Sequence, residues 1–407
     1  MSVSRLARSI PESPTLKLNE KARLLKEQGE PVINLTVGEP KNKTPESAVK
    51  AVAEIMKTAN IKYSPTGGNA SFKRAIIRYT EENYDRTVGP ANIIVSAGAK
   101  HSLYTLFCTL LDPGDEVIVL APYWVSYPAM IKLVGATTTI VTPTNGFYPV
   151  LKDIEASITP RTKAILLNSP NNPSGIVYPA DFIAEVVNYC EKNGIYMVMD
   201  DIYHKLMFDG KRFVPAYQFT KKDVESTRVI VVNGVSKLYG MTGFRVGWTI
   251  ASKEIVSVMG NVQGQTVTCV SSILQAGAEG ALLGSQDVVT ELLHTISSNR
   301  DIVMKELQTI PGLKITKPEG AFYCLPDFSY YSNDSLNLCQ FLLEKALVLT
   351  VPGKEFGAEG HLRLSFAGDG KEVAEGLARI RWALDPNSPK EIQIGNRTVV
   401  RNWSMKG

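Results

Sequence analysis

The feature that most constrains the fold of this chain is a series of short, almost wholly apolar segments in its middle part. Strands that are apolar on both faces belong in a parallel sheet that helices cover on each side. Helical patterns over residues 99–111 and 180–193 lie between these segments. The sequence therefore predicts a doubly wound α/β unit. The apolar segments are residues 92–96, 116–120, 163–167, 195–199 and 228–232.

Beyond Pro311 the pattern changes to a mixture of shorter elements. Strand-like pieces at 313–316 and 321–325 precede a helix, and another strand is predicted near 346–351. The last helix carries apolar residues at four-three-four spacing, which indicates one buried stripe. We therefore predict a second, smaller α+β domain. The stripe consists of Val373, Leu377, Ile380 and Leu384.

The two ends of the chain complete the domain plan. The leader holds an amphipathic helix over 16–27 and an apolar stretch at 32–37, and its pattern is compatible with packing on either domain. The tail has turn residues and a β-like stretch around 392–400, to which the sequence assigns no role. The predicted division is an N-terminal arm with part of the small domain over 1–45, a large domain over 46–310, a small domain over 311–385 and a tail over 386–407.

Composition excludes several classes of protein. Lys+Arg 44 against Asp+Glu 40 leaves a scattered net charge of +4, which gives no footprint for nucleic acid or an anionic membrane. No apolar run approaches the ~18 residues that cross a bilayer. Five widely spaced cysteines without a CxxC motif indicate thiols in a reducing compartment. The N-terminus lacks the apolar core of a secretion signal, so we expect a cytoplasmic protein, with an organellar presequence as the weaker alternative.

Several familiar site motifs are absent from the sequence. It contains no GxGxxG after the first strand, no GxxxxGK[ST], no GxSxG and no HExxH. The histidines have no metal-ligand spacing, so we predict no metal site and no Ser-His enzyme. They are His101, His204, His294 and His361.

Polar residues instead cluster where the apolar segments end, which is where open α/β sheets bind ligands. Two of the segments lead to Asp200 and to the pair Ser236 and Lys237. A lysine at the mouth of such a crevice suits Schiff-base chemistry, because partial burial or nearby cations readily lower its pKa. The helix that opens after Gly98 offers backbone N–H groups that can hold a phosphate.

Ordered motifs extend this pattern along the chain. They are GEP at 38–40, YSPTGG at 63–68, PYWVSY at 122–127, NSPNNPSG at 168–175, DDIY at 200–203, SK at 236–237, GFR at 243–245, PEGAFY at 318–323 and HLRLS at 361–365. Over about residues 5–385 the chain resembles the class I aminotransferases of the fold-type I pyridoxal-phosphate enzymes, most closely the aspartate and prephenate branch. The resemblance implies a mostly parallel seven-stranded sheet between helices, plus a smaller α+β domain. It also implies pyridoxal 5'-phosphate as cofactor and a ping-pong transfer of an amino group between an amino acid and a 2-oxo acid.

The resemblance implies catalytic roles for residues at the strand ends. Lys237 is similar to the lysine that binds the cofactor as a Schiff base and then moves the Cα proton. Asp200 is similar to the partner of the pyridine nitrogen, which keeps the ring protonated as an electron sink. Tyr203 and Asn172 resemble the pair that hydrogen-bonds the cofactor's phenolic oxygen. Asp201 faces the other way on a strand end, so we interpret it as structural.

Further cofactor contacts follow from the same resemblance. Trp124 is similar to the aromatic residue that stacks on the pyridine ring. Tyr63 is similar to a tyrosine that reaches the phosphate in a neighbouring subunit, which implies a homodimer. The implied phosphate ligands are Gly98, Ala99, Lys100, Ser236 and Arg245.

The substrate is expected to be an amino acid with two carboxylates. Arg363 resembles the arginine that grips the α-carboxylate, and Lys100 with Thr15 resembles the pair that binds the distal one. The expected substrates are aspartate and glutamate with their 2-oxo acids, oxaloacetate and 2-oxoglutarate, and prephenate is a further candidate. The implied substrate-binding residues are Gly38, Trp124, Asn172, Arg363, Thr15 and Lys100.

The sequence departs from the family pattern at one segment, and two alternative functions stay open. Relatives commonly carry an Asp-aromatic-Asp triplet where this chain has Lys41, Asn42 and Lys43, which either form a solvated loop or alter substrate preference. Another fold-type I enzyme, such as an aromatic or alanine aminotransferase, a β-lyase or a cyclopropane-forming enzyme, would use the same residues. A non-catalytic sensor of this fold predicts loss of the lysine or an added DNA-binding domain, whereas Lys237 is present and no helix-turn-helix segment flanks the domain.

Overall fold

The computed structural model describes residues 3–10 and 14–403, without the side chains of Pro14 and Thr15. The strands of this part are β1 (Ile33–Asn34), β2 (Ile93–Ser96), β3 (Glu116–Leu120), β4 (Thr137–Val141), β5 (Thr162–Leu167), β6 (Tyr196–Asp200), β7 (Val229–Gly234), β8 (Gly247–Ile250), β9 (Tyr323–Cys324), β10 (Val348–Leu349), β11 (Val351–Pro352), β12 (Leu362–Ser365), β13 (Glu391–Ile394) and β14 (Arg397–Val400).

The helices of the same residues separate or flank these strands. They are α1 (Arg5–Arg8), α2 (Pro14–Glu27), α3 (Glu46–Lys57), α4 (Ala70–Tyr84), α5 (Ala99–Leu110), α6 (Ser126–Leu133), α7 (Leu151–Glu155), α8 (Ala180–Asn193), α9 (Lys253–Thr266), α10 (Ser272–Leu283), α11 (Asp287–Leu307), α12 (Ser335–Ala346) and α13 (Gly370–Leu384). Among them, none combines the length and the hydropathy needed to cross a bilayer.

A seven-stranded sheet forms the centre of the fold, with strand order β2-β8-β7-β6-β5-β3-β4. Only β8 runs antiparallel to its neighbours, so the predicted mostly parallel sheet is confirmed. Successive residues of β3 alternate between two apolar layers: Val117 and Val119 pack with α5 and α9, whereas Ile118 and Leu120 pack with the layer that includes α4 and α8. Burial on both faces explains why the central strands are apolar throughout.

The five predicted strands and two predicted helices lie within two residues of their positions in the structure. Two strands of the sheet were missing from the segments singled out in the sequence. β4 is a partly exposed edge strand rich in threonine, and β8 is a four-residue return strand that begins at Gly247. Neither has the continuous apolar run of a central strand, because neither occupies a central parallel position.

The strands in the region after Pro311 are shorter than the sequence predicts. Residues 313–316 form no strand and contribute one bridge, between Lys314 and Asp327. The predicted strand at 321–325 is reduced to β9, and it cannot begin at Ala321, because this residue has a positive φ of 56°. The piece at 346–351 divides at Thr350, since β10 pairs with β1 and β11 pairs with β12. The stripe of the last helix is confirmed, with Val373, Leu377, Ile380 and Leu384 all buried.

The two ends of the chain meet beside α13. β1 pairs in parallel with β10, which places the leader against residues 348–349. The tail folds into a hairpin, β13 with β14, whose Ile394 is buried. Arg397 of this hairpin forms an ion pair of 2.8 Å with Glu30 of the leader, and Trp403 packs edge-on against Trp382. The domain boundaries at 45, 310 and 385 stay predictions.

Candidate active site

A cavity of about 340 Å³ opens at the carboxyl ends of β5, β6 and β7. The structure brings most of the predicted site residues together around it. Tyr63 does not line it, since its side chain is 88% exposed on the surface, and the side chain of Thr15 lies outside the described residues. Gly98 borders the cavity beside Arg245. The predicted residues that line it are Gly38, Ala99, Lys100, Trp124, Asn172, Asp200, Tyr203, Ser236, Lys237, Arg245 and Arg363.

Asp200 ends β6 and is almost fully buried, with 4% of its surface exposed. Its Oδ2 accepts a hydrogen bond of 2.7 Å from the hydroxyl of Tyr127, whereas its Oδ1 is buried and has no partner among the described residues. Burial raises the pKa of Asp200 to about 6, although the Tyr127 hydroxyl, the Ile202 backbone N–H and Lys237 each favour the charged form. A cationic ligand at Oδ1 would complete the charge balance of this carboxylate.

Asp201 points away from the cavity into a sealed polar cluster. Its carboxyl is fully buried near Tyr84, and its backbone carbonyl lies 2.9 Å from Nδ1 of His204. The other ring nitrogen of His204 hydrogen-bonds the hydroxyl of Tyr79. Burial raises the pKa of Asp201 well above its usual range, and the neighbouring Asp200 adds to the effect. Burial therefore favours the protonated form of Asp201, which packs behind the strand and cannot contact a ligand in the cavity.

Lys237 follows β7 and extends its ammonium group across the cavity. Its Nζ donates a hydrogen bond of 2.6 Å to the carbonyl of Gly38. Burial, with smaller contributions from Arg245 and Arg363, lowers the pKa of Lys237 to about 8 against the opposing charges of Glu39 and Asp200. An amine with this pKa is partly neutral near pH 8, so it can act both as a nucleophile and as a base.

Arg363, on β12, is a buried cation held in a fixed orientation. Its guanidinium donates to Oδ1 of Asn172 at 3.1 Å and to the carbonyl of Thr36 at 2.9 Å. Its plane lies over the rings of Tyr323 and Phe356, at 4.6 and 5.0 Å from their centroids. Its Nε is buried and has no partner among the described residues. A guanidinium so placed can receive a carboxylate with little loss of side-chain entropy.

Asn172 connects this arginine to the phenol of Tyr203. The amide nitrogen of Asn172 donates to the Tyr203 hydroxyl at 3.4 Å, and that hydroxyl lies 3.2 Å from the hydroxyl of Tyr323. Burial raises the pKa of Tyr203 well above its usual range, so the phenol stays protonated. The pair Tyr203 and Asn172 thus presents two neutral hydrogen-bonding groups at one wall of the cavity.

The opposite wall has the features of an anion site. Helix α5 begins at Ala99, and the preceding Gly98 supplies no side-chain cap, so the first backbone N–H groups of the helix can bind an anion. Arg245 adopts a left-handed backbone conformation, with φ of 52°, and its guanidinium lies against Gly98. A Cβ at Gly98 would lie 2.6 Å from Nη2 of Arg245. Ser236 and Lys100 complete this wall.

Lys100 also contacts the aromatic wall of the cavity. Its Nζ lies 4.8 Å from the centroid of the Trp124 ring, within the range of a cation–π interaction. Burial lowers the pKa of Lys100, and the charge of Arg245 lowers it further. With Lys237, Arg245 and Arg363, it makes the cavity strongly positive around one carboxylate, which favours a ligand with several negative charges.

Sequence reasoning missed four residues that line the cavity. Tyr127 lies three residues after Trp124, at the start of α6, and the two rings meet edge-on at 5.3 Å. That spacing within the PYWVSY motif was the available signal, although Asp200, its partner, is far away in the sequence. The missed residues are Tyr127, Asn168, Ile202 and Tyr323.

The Lys41, Asn42 and Lys43 segment lies outside the cavity. These residues line a separate hollow of about 500 Å³ beside the start of α13. Lys41 forms an ion pair of 2.8 Å with Glu372, a residue of α13. Lys41 therefore joins the leader to α13, and the segment adds no wall to the cavity described above.

Comparisons with known proteins agree with this geometry. Residues 30–380 match the family model described as "Aminotransferase class I and II". The probable aspartate/prephenate aminotransferase of Aquifex aeolicus is 38% identical over 380 residues, which cover 92% of this chain and 96% of the relative.

Solved structures give the same assignment. The aspartate aminotransferase of Thermotoga maritima superimposes with a TM-score of 0.88 at 35% identity, covering 93% of this chain and 99% of that one. The aspartate aminotransferase of Thermus thermophilus with maleate gives a TM-score of 0.87 at 36% identity, covering 94% and 99%. The fold, the clustered polar residues and the length of these matches lead to one conclusion: the chain belongs to the class I and II aminotransferase family and is an aminotransferase.

Proposed function

We propose that this enzyme uses pyridoxal 5'-phosphate to move an amino group between a dicarboxylic amino acid and a 2-oxo dicarboxylic acid in a ping-pong cycle. One observation carries the proposal: a partly neutral lysine, an unpaired carboxylate oxygen and a fixed arginine face one cavity. Lys237, Asp200 and Arg363 supply these groups. Each matches a different part of the reacting molecules.

The cavity fits the cofactor group by group. The unpaired Oδ1 of Asp200 suits a protonated ring nitrogen. The ring of Trp124, which meets Tyr127 edge-on, suits stacking on an aromatic face. Gly98 and Arg245 form a cradle for a phosphate, which a Cβ at Gly98 would fill. When bound, the cofactor supplies an aldehyde that accepts an amino group and a ring that takes up the electron pair released at Cα.

The residues that line the cavity then have separate roles in the reaction. Arg363 holds the α-carboxylate and so orients Cα toward Lys237. Nζ of Lys237 would take the proton from Cα and deliver it to the carbon that carries the aldehyde in the free cofactor. Asp200 keeps positive charge at the ring nitrogen, and the hydrogen bonds of Tyr203 and Asn172 hold the phenolic oxygen. Burial of these groups strengthens each electrostatic contact.

Lys100 supports the choice of a dicarboxylic substrate. Its Nζ lies over Trp124 at 4.8 Å and faces the same cavity as Arg363, so a second carboxylate would meet a second cation. The relative in Aquifex aeolicus bears the name aspartate/prephenate aminotransferase, and the Thermus thermophilus relative was solved with maleate, a dicarboxylate. We propose aspartate and glutamate as substrates, with prephenate as a further acceptor.

A cytoplasmic homodimer completes the proposal. The Tyr63 side chain is 88% exposed, yet its loop is anchored, because the hydroxyl of Ser64 donates to the carbonyl of Val270 at 2.7 Å. A fixed aromatic residue that lies outside its own cavity is placed to serve the cavity of a second copy. All five cysteines are free thiols, as expected in a reducing compartment.

The test supplies purified enzyme and cofactor with a panel of amino acids and follows the 2-oxo acid formed. Without an acceptor, aspartate and glutamate should give about one product molecule per subunit, and 2-oxoglutarate or oxaloacetate should then permit continuous turnover. Release of ammonia without an acceptor would indicate a lyase instead. No transfer from any amino acid, in the presence of both acceptors, would refute the proposal.

A further inference from the structure

We propose that Tyr127 is a positioning residue for Asp200, which holds one carboxylate oxygen so that only the other is offered to the ring nitrogen of the cofactor. This inference rests on the proposed function, since it concerns the same cofactor. It adds a role for a cavity residue whose hydroxyl bonds to Asp200. The inference rests on the different surroundings of the two carboxylate oxygens of Asp200, of which one is hydrogen-bonded and the other is not.

The hydrogen bond that defines this role is short and sealed from water. The Tyr127 hydroxyl donates to Oδ2 of Asp200 at 2.7 Å, and both side chains are buried. Oδ1 is equally buried but has no partner among the described residues. A carboxylate with one oxygen bonded cannot rotate freely about its terminal torsion without losing that bond. The unpaired oxygen is therefore held in a single direction.

Tyr127 is itself fixed from two sides. It lies in the first turn of α6, and its ring meets Trp124 edge-on at 5.3 Å. Burial raises the pKa of Tyr127 well above its usual range, so its hydroxyl keeps the proton that it donates. Backbone and ring contacts together set the position of the donor, which in turn sets the position of Asp200.

The charged and titratable groups around Asp200 leave Tyr127 as its main side-chain hydrogen-bond donor. Lys237 adds a favourable charge, and the carboxyl of Asp201, whose pKa is raised by burial, lies behind the strand. Tyr203 faces Asp200 from the next turn, and Tyr178 lies near Tyr127. Among the influences that favour the charged form of Asp200, the hydrogen bond from Tyr127 is the largest, so its removal should make Asp200 easier to protonate.

The first test is a double-mutant cycle on cofactor binding. The dissociation constant for pyridoxal phosphate is measured by equilibrium titration in four proteins: wild type, Tyr127→Phe, Asp200→Asn and the double variant. Tyr127→Phe keeps the ring and its contact with Trp124 but removes the donor. It should weaken binding about tenfold to a hundredfold in the wild-type background, the range for a hydrogen bond to a charged group. In the Asp200→Asn background it should have almost no effect.

The second test is the pH dependence of the bound cofactor's absorbance without substrate. Tyr127→Phe should move the acid-side transition upward by about one pH unit or more, because protonation of Asp200 becomes easier. Tyr331→Phe is the matched control, since it also removes one hydrogen bond of a buried tyrosine, the 2.6 Å bond to the carbonyl of Pro311. This control should lose some thermal stability and leave the pH transition unchanged.

The outcomes separate the inference from the proposed function. Equal weakening by Tyr127→Phe in both backgrounds, or an unmoved pH transition, would show that the Tyr127 hydroxyl does not act through Asp200 and would overturn the inference. A wild-type protein that fails to bind the cofactor would instead refute the proposed function. If Tyr127→Phe lowers thermal stability as much as the control does but also shifts the pH transition, the positioning role stands.

Discussion

Replacing Gly98 by alanine tests the phosphate cradle through its backbone. Gly98 has φ 87° and ψ 162°, a region that is almost restricted to glycine, so any side chain there costs about 1–3 kcal/mol of folding free energy. The new Cβ would also lie 2.6 Å from Nη2 of Arg245 and 3.0 Å from its Cζ, so the guanidinium must move away. Loss of its contact with a phosphate would cost about 1.5–3 kcal/mol, a tenfold to hundredfold loss of cofactor affinity.

The control for this experiment is Gly114→Ala. Gly114 also has a positive φ, of 96°, but a Cβ there meets no atom within 4 Å. Urea unfolding of the cofactor-free proteins should show both variants destabilised, whereas titration with pyridoxal phosphate should show weaker binding for Gly98→Ala alone. If Gly98→Ala binds the cofactor as tightly as Gly114→Ala does, the close approach of Arg245 to Gly98 has no part in phosphate binding.

Three further predictions follow from the site. Lys237→Ala should abolish transamination while the protein still folds and binds pyridoxal phosphate noncovalently; product assays that show substantial turnover would contradict this. Lys100→Met should weaken aspartate about tenfold to a hundredfold more than alanine or phenylalanine in kcat/KM, the range for charge-assisted hydrogen bonds, and an equal loss for all three would assign the lysine to the cofactor. Because burial lowers the pKa of Lys237 to about 8, its amine is charged below that pH and neutral above it. The rate at which cofactor-free protein reacts with pyridoxal phosphate should therefore rise with pH and level off near pH 8, and continued rise toward the ordinary lysine value of 10.5 would refute the assignment.

The parts of the fold that were predictable from sequence are those whose signals are local. Helix α8 begins after Pro179 and ends before Gly194, which has a positive φ of 70°. A proline and a glycine therefore mark its two ends in the sequence. The strand ends that carry Asp200 and Lys237 were recognisable because polar residues follow apolar runs directly. Edge and return strands lack that signal, since half-exposed or antiparallel positions do not require continuous apolar residues.

Contacts between distant segments could not be read in the same way. The bond from Tyr127 to Asp200 joins residues 73 positions apart, and the contact of Asn172 with Arg363 joins residues 191 positions apart. The split of the 346–351 piece depends on pairing with the leader, which no local pattern records. The place of Tyr63 depends on a second molecule, so its role remains a prediction.

The C-terminal hairpin has a consequence for the stability of the leader. The region matched by the family model ends at residue 380, before the hairpin begins. Arg397 pairs with Glu30, and the indole nitrogen of Trp382 donates to the carbonyl of Pro389 at 2.9 Å, so the tail is bonded both to the leader and to α13. The hairpin therefore adds contacts to the residues just before β1, and we expect the backbone amides of β1 to exchange slowly with deuterium. A protein shortened to the end of α13 at Leu384 would lose the hairpin's contacts with Trp382 and Glu30, so the last segment of the chain stabilises the first.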